Sequence, residues 1–105
     1  MVKVPIKVKE TIKKYITALN KNNVPIKKAI LFGSYAKGYN HKWSDIDLAL
    51  VSDIFVGDRM IDRNKIRRIT LSISSDIEVL PYSTKDFTAE DPFVKEILET
   101  GIELT

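Results

Sequence analysis

The chain has 105 residues, with 17 lysines and arginines against 14 aspartates and glutamates for a formal charge of +3, no cysteine and one histidine. That length supports one modest core, so a single domain over 1–105 is expected, and the missing cysteines exclude disulfides, thiolate nucleophiles and thiolate metal sites. No apolar run nears the roughly 20 residues of a membrane span and the N-terminus lacks a signal-peptide core, so the expectation is a cytoplasmic protein with no membrane partner.

The first helix is predicted over 5–21, where Val8, Ile12, Tyr15, Ile16 and Leu19 recur as one stripe of a 3.6-residue period. Pro5 suits its first turn, and Asn20, Asn22, Asn23 and Pro25 end it. Residues 1–28 carry eight lysines against Glu10 alone, whereas 85–105 are acidic. A basic end admits RNA, DNA or an acidic protein surface as partner, but a solvated helix face gives the same pattern and is favoured. A strand over 27–32 follows.

Gly33 and Ser34 break that strand into a turn and short helix over 33–39, closed by Gly38. The polar loop after it holds His41, Trp43 and Ser44. His41 has no second His or Cys nearby, which disfavours a metal role. Trp43 either packs beneath the neighbouring site, the favoured reading, or stacks on a base, and Ser44 either orients Asp45 or caps the loop. A second strand is predicted over 46–52. Gly57 and Asp58 then open a helix to residue 74 with Ile66, Ile69 and Ile73 on one stripe. Its other faces carry Arg59, Arg63, Lys65, Arg67 and Arg68, a solvated run or a dock for an acidic partner. A third strand over 76–80 is expected to stop at Pro81, which cannot donate to a ladder. After a turn at 83–87, Asp91 and Pro92 cap a last helix whose Phe93, Val94, Ile97 and Leu98 form a core stripe. Gly101 ends it as a C′ residue, and Ile102 and Leu104 alternate as a short strand. This order gives an α/β fold, an α+β sandwich of helices on a small sheet.

The chemistry concentrates around the second strand. Asp45 and Asp47, two residues apart, share one strand face, while Ile46, Leu48 and Leu50 take the other. Two such acids repel unless a cation lies between them, commonly a divalent metal. Upstream, Gly33 lets the backbone approach a ligand, and free N–H groups at the turn suit an anion. Phosphate donors beside metal-binding carboxylates point to a nucleoside triphosphate with Mg²⁺. Each half is weak alone, since Asp-x-Asp also occurs in haloacid-type phosphatases and glycosyltransferases. Ser34 reads as a γ-phosphate donor or a helix N-cap, and Lys37 as a triphosphate contact or a surface lysine. These residues meet at one sheet edge only if the first two strands are antiparallel, which a connection of about ten residues allows readily, whereas a parallel crossover normally needs a dozen or more.

Phe32-Gly33-Ser34 followed by Asp45-Ile46-Asp47-Leu48 resembles the DNA polymerase beta-like nucleotidyltransferase superfamily. The longer GSYAKG and SDIDLAL stretches are similar to its minimal, single-domain members, often antitoxins paired with a HEPN protein. The resemblance implies a mixed sheet and transfer of a nucleoside monophosphate, AMP from ATP, to a hydroxyl with release of pyrophosphate. It implies two Mg²⁺ ions roughly 3.5–4 Å apart on Asp45 and Asp47, with Gly33, Ser34 and Lys37 at the triphosphate. It also implies a third acid from the next strand. Glu78, between Ile77 and Val79 inside a hydrophobic run, is the expected third metal ligand and catalytic residue, although the family more often has Asp. Asp76, behind Ser74 and Ser75, is the alternative.

Larger relatives carry a helical domain over base and acceptor. The expectation is that a partner completes the pocket here, either a helical HEPN-type toxin whose tyrosine receives AMP or a second copy of the chain, with nucleic acid ranking behind. The rival from another class is a non-catalytic module that binds nucleotide or partner.

Overall fold

Helix α1 (Ile6–Lys21) begins behind Pro5, whose carbonyl accepts from Val8 and Lys9 N–H. It buries Val8, Ile12, Tyr15 and Leu19 and stops where the asparagines take over the backbone's partners. Asn22 Nδ2 donates to Ala18 O at 2.7 Å, Asn23 turns left-handed at φ 64°, and Asn20 Oδ1 accepts from Ile26 N at 3.1 Å. In this computed structural model residues 4–38 and 45–104 are described.

The elements that follow are β1 (Lys28–Phe32), α2 (Ser34–Lys37), β2 (Ile46–Ser52), α3 (Arg59–Ile73) and β3 (Ile77–Ser83). A 3₁₀ turn (Thr84–Asp86), α4 (Pro92–Thr100) and β4 (Ile102–Glu103) complete the order. The sheet runs β3-β2-β1-β4. As the connection allows, β1 and β2 are antiparallel, with Phe32 opposite Asp47; β2 and β3 are parallel, with Asp47 opposite Glu78. The sheet is therefore mixed, and β4 closes its other edge antiparallel to β1. Strand alternation divides the interior in two. Leu31, Leu48, Leu50, Ile77 and Val79 meet α1 and Ile66 of α3 on one face. Ile30, Ala49, Val51, Leu80 and Tyr82 meet Val94 and Ile97 of α4 on the other. Among the described residues no helix is long and apolar enough to cross a membrane.

Two buried polar groups tie the helices down. The Tyr15 hydroxyl lies 2.5 Å from Thr70 Oγ1, which itself donates to Ile66 O, so the phenol is the donor, and burial pushes its pKa up to about 12. Asp62, fully buried, accepts from Val56 N at 2.9 Å and Gly57 N at 3.0 Å, with Lys65 Nζ at 3.6 Å, and so holds the loop before α3.

Four local expectations need correction. Pro81 does not stop β3, which continues to Ser83. Ile46 N donates to Asp76 O, so alternation turns the backbone of 77, 79 and 81 away from β2. The missing N–H of Pro81 falls on the open edge, where a sheet tolerates it. Ser34 is not a helix cap: Gly33 takes the cap position and Ser34 is the first helical residue. Gly101 is not left-handed but extended, at φ −79°, and its constraint is space, since a Cβ there would lie 2.5 Å from Ile30 Cγ2. Of the α4 stripe, Val94 and Ile97 are buried against the sheet, whereas Phe93 and Leu98 are exposed by 43% and 41%.

Candidate active site

The site forms where β1 ends and β2 begins. At the end of β1 the chain enters Gly33 at φ 72° and ψ −146°, a conformation essentially reserved for glycine. A Cβ at this position would stand 2.2 Å from Asp47 Oδ2. Backbone and carboxylate are thus in direct apposition, leaving room for hydrogen only. Helix α2 follows for one turn, with Lys37 N donating to Gly33 O at 3.1 Å and Gly38 closing it left-handed.

Asp47 shares the α4 face of β2 with Ala49 and Val51, and its parallel partner Glu78 shares that face of β3 with Leu80 and Tyr82. Burial raises the Asp47 carboxyl above the usual carboxylate value, and the negative charges of Asp45 and Glu78 raise it further. Asp45 and Glu78 are themselves exposed. Asp45 and Glu78 thus lie near enough to Asp47 for their charges to act on it. Asp76 sits one step before β3, its N–H on Ser74 Oγ and its carbonyl on Ile46 N, and lies outside the Asp47 register.

As they stand, no three acidic or histidine side chains among the described residues form a complete coordination set. The donor chemistry nonetheless fits a hard divalent cation. The ligands are carboxylate oxygens, like charge has accumulated on Asp47, and Mg²⁺ takes its remaining positions from phosphate and water.

Lys37 does not point freely at the turn. Its Nζ is 3.5 Å from Glu96 of α4, both side chains being about half exposed. Such a pair is weak enough to exchange for phosphate. Between Lys37, Gly33 and α4 lies a recess of about 190 Å³ that includes Phe32 and Phe93, whose rings meet edge to face at 5.9 Å. Glu96 and Phe93 were missed by the sequence reading; the apolar stripe of α4 overshooting its buried width was the available signal. Residues 39–44, with His41, Trp43 and Ser44, lie outside the described residues.

A mixed sheet whose antiparallel hairpin sets a glycine turn against an Asp-x-Asp strand has nucleotidyltransferase architecture. The chain belongs to the polymerase beta nucleotidyltransferase family, whose profile matches residues 10–105. It is 48% identical over 46 residues to a Methanocaldococcus jannaschii protein named as protein adenylyltransferase MJ0604. That stretch covers 43% of this chain and 46% of the relative. The chain thus matches about half the length of this curated relative. Among solved structures, a Sulfolobus solfataricus protein named for nucleotidyltransferase activity superposes with a TM-score of 0.69 at 16% identity, over 93% of this chain and 79% of that one. A toxin–antitoxin structure with AMP-PNP superposes at 0.62 with 21% identity, over 92% and 72% of the respective chains. Identities this low establish the shared fold alone.

Proposed function

We infer that this protein is a Mg²⁺-dependent adenylyltransferase that moves AMP from ATP to a hydroxyl on a partner protein. The favoured partner is a helical HEPN-type toxin with a tyrosine as acceptor. The observation that carries the reading is Asp47 pressed against Gly33 while Asp45 and Glu78 load it with like charge. Support for the nucleotide and for the toxin context comes from the relatives. One is named for protein adenylylation, and one neighbour is a toxin–antitoxin complex with an ATP analogue.

In this scheme the backbone N–H groups of Gly33 and Ser34 hold the β- and γ-phosphates, and Lys37 leaves Glu96 to neutralise them. Asp45, Asp47 and Glu78 hold the divalent metal. When bound, the metal lowers the pKa of the attacking hydroxyl and neutralises charge on the leaving group. The acceptor oxygen bonds to the α-phosphorus, the bond from that phosphorus to the β-phosphate bridge breaks, pyrophosphate departs, and the hydroxyl proton passes to solvent. Fixed placement of the phosphates and carboxylates supplies most of the acceleration. Glu78 takes the acceptor side, being opposite Asp47 on the outer strand.

The test is transfer of labelled ATP to a co-expressed partner, with Glu78→Gln and Asp76→Asn compared. Glu78→Gln is expected to lose about 10²-fold in transfer while keeping nucleotide binding, and Asp76→Asn to stay active. The reverse pattern would assign the third ligand to Asp76. Mg²⁺·ATP binding without transfer to any acceptor would leave a nucleotide-binding module.

A further inference from the structure

Between α3 and β3, along the outer edge of the sheet, runs an open groove of about 550 Å³. Arg59, Arg63 and Arg67 line it, spaced four residues apart and so stacked on one face of α3. Its apolar part includes Met60 and Leu71, exposed by 73% and 58%, and Glu78 is among its lining residues. The groove therefore adjoins the residue paired with Asp47 across β2 and β3. Among the described residues Glu78 is the one acid lining it, against three arginines.

The edge itself is closed to strand addition. The outward carbonyl of Val79 accepts from Arg63 Nε at 2.9 Å, and Pro81, the next outward residue, has no N–H to offer. An occupant must lie across the side chains. Arginine and methionine at an exposed concave surface are the chemistry of a protein interface. Among the described residues the lining has no aromatic ring on which a nucleic acid base could stack, as single-strand binding commonly uses.

We propose that this groove docks an acidic, partly apolar segment of the partner protein and delivers the acceptor hydroxyl beside it to Glu78. The proposal deepens the adenylyltransferase reading and rests on it for the transfer step, but docking is measurable without transfer. The three arginines pair with carboxylates flanking the acceptor, and Met60 and Leu71 take apolar side chains between them. Acceptor choice is then set by the sequence around the hydroxyl.

The probe is a fluorescein-labelled copolymer of glutamate and tyrosine, compared with a lysine–tyrosine copolymer and a single-stranded RNA oligonucleotide. Anisotropy reads docking, and label from ATP reads transfer. The acidic copolymer is expected to bind best, with affinity falling at high salt. Arg67→Glu is expected to weaken that binding and raise the transfer KM about tenfold, leaving kcat and Mg²⁺·ATP affinity unchanged, while Arg67→Lys restores much of it. Arg68→Glu makes the same change in net charge outside the groove lining and is expected to do little. Equal binding of both copolymers, preference for RNA, or equal effects of Arg67→Glu and Arg68→Glu would each overturn the proposal. Docking with the expected pattern but no transfer of label would instead sink the enzymatic reading and leave the dock standing.

Discussion

Replacing Asp47 by Asn is expected to make the empty protein more stable while removing its response to nucleotide. A carboxyl raised in the folded state binds its proton more tightly there than in the unfolded chain. Its stabilising contribution is therefore present below the ordinary value of 3.8 and is lost as pH climbs through the raised folded value, so at neutral pH the ionised Asp47 is a cost. Neighbouring strands are about 4.8 Å apart, and two unit charges at that spacing repel by about 1 kcal/mol in a water-like dielectric and about 3.5 kcal/mol at an effective dielectric of 20. Because Asp45 and Glu78 are exposed, the water-like end applies, reduced further by salt. A gain of about 1 kcal/mol follows, or a few degrees in Tm for a domain of this size. Thermal melts followed by circular dichroism at pH 7 should show Asp47→Asn above wild type, with the gap closing as pH falls towards the carboxylate range. Saturating Mg²⁺·ATP should invert the order, since ligand at a hundredfold its Kd adds about 2.7 kcal/mol to wild type alone. A variant that melts below wild type without ligand, yet gains as much from Mg²⁺·ATP, would refute both the electrostatic account and the assignment of Asp47.

Gly33→Ala is expected to abolish nucleotide binding and to destabilise by about 2 kcal/mol or more, because the backbone is in a glycine-only region and the new methyl meets Asp47 Oδ2; denaturant titration and isothermal calorimetry measure the two effects. Tyr15→Phe leaves Thr70 Oγ1 without its donor and should cost about 1 kcal/mol in chemical denaturation, with Mg²⁺·ATP affinity unchanged. Asp62→Asn replaces one acceptor of a buried two-bond anchor by an amide that faces an N–H, and should cost about 2 kcal/mol; amide exchange should rise at Val56 and Gly57 ahead of the sheet.

What could be read from sequence was what depends on near neighbours. The separation of Asp47 from Ile46 and Leu48 onto opposite faces of β2 follows from a period of two, and the short connection after β1 allowed the antiparallel pairing that forms. Features set by remote packing were not legible. Pro81 looked like a stop because nothing local says that β3 is an edge strand whose odd-numbered residues turn outward. Gly101 ends α4 as expected, but part of the reason no side chain fits there is Ile30, seventy-one positions earlier, which no local pattern reveals. Asp62 sits in a charged run and gives no sign that it alone is buried, and the Tyr15 and Thr70 hydroxyls meet across 55 residues. Glu78 and Asp76 were inseparable by periodicity, and the parallel register with β2 places only Glu78 opposite Asp47.

The two kinds of strand pairing also divide the site in time. Gly33 and Asp47 belong to one local pairing, β1 with β2, whose strands are neighbours in sequence. Glu78 arrives through α3 on an outer strand paired to β2 alone, so its placement waits on a longer excursion of the chain. Brief detachment of β3 would strip away the proposed third ligand while leaving the glycine turn and Asp47 in contact. Under the proposed scheme such an opened form would keep the phosphate turn and lose the acid assigned to the acceptor side. Anything that clamps the outer edge, a partner segment above all, would then act as a licence for turnover by suppressing that opening.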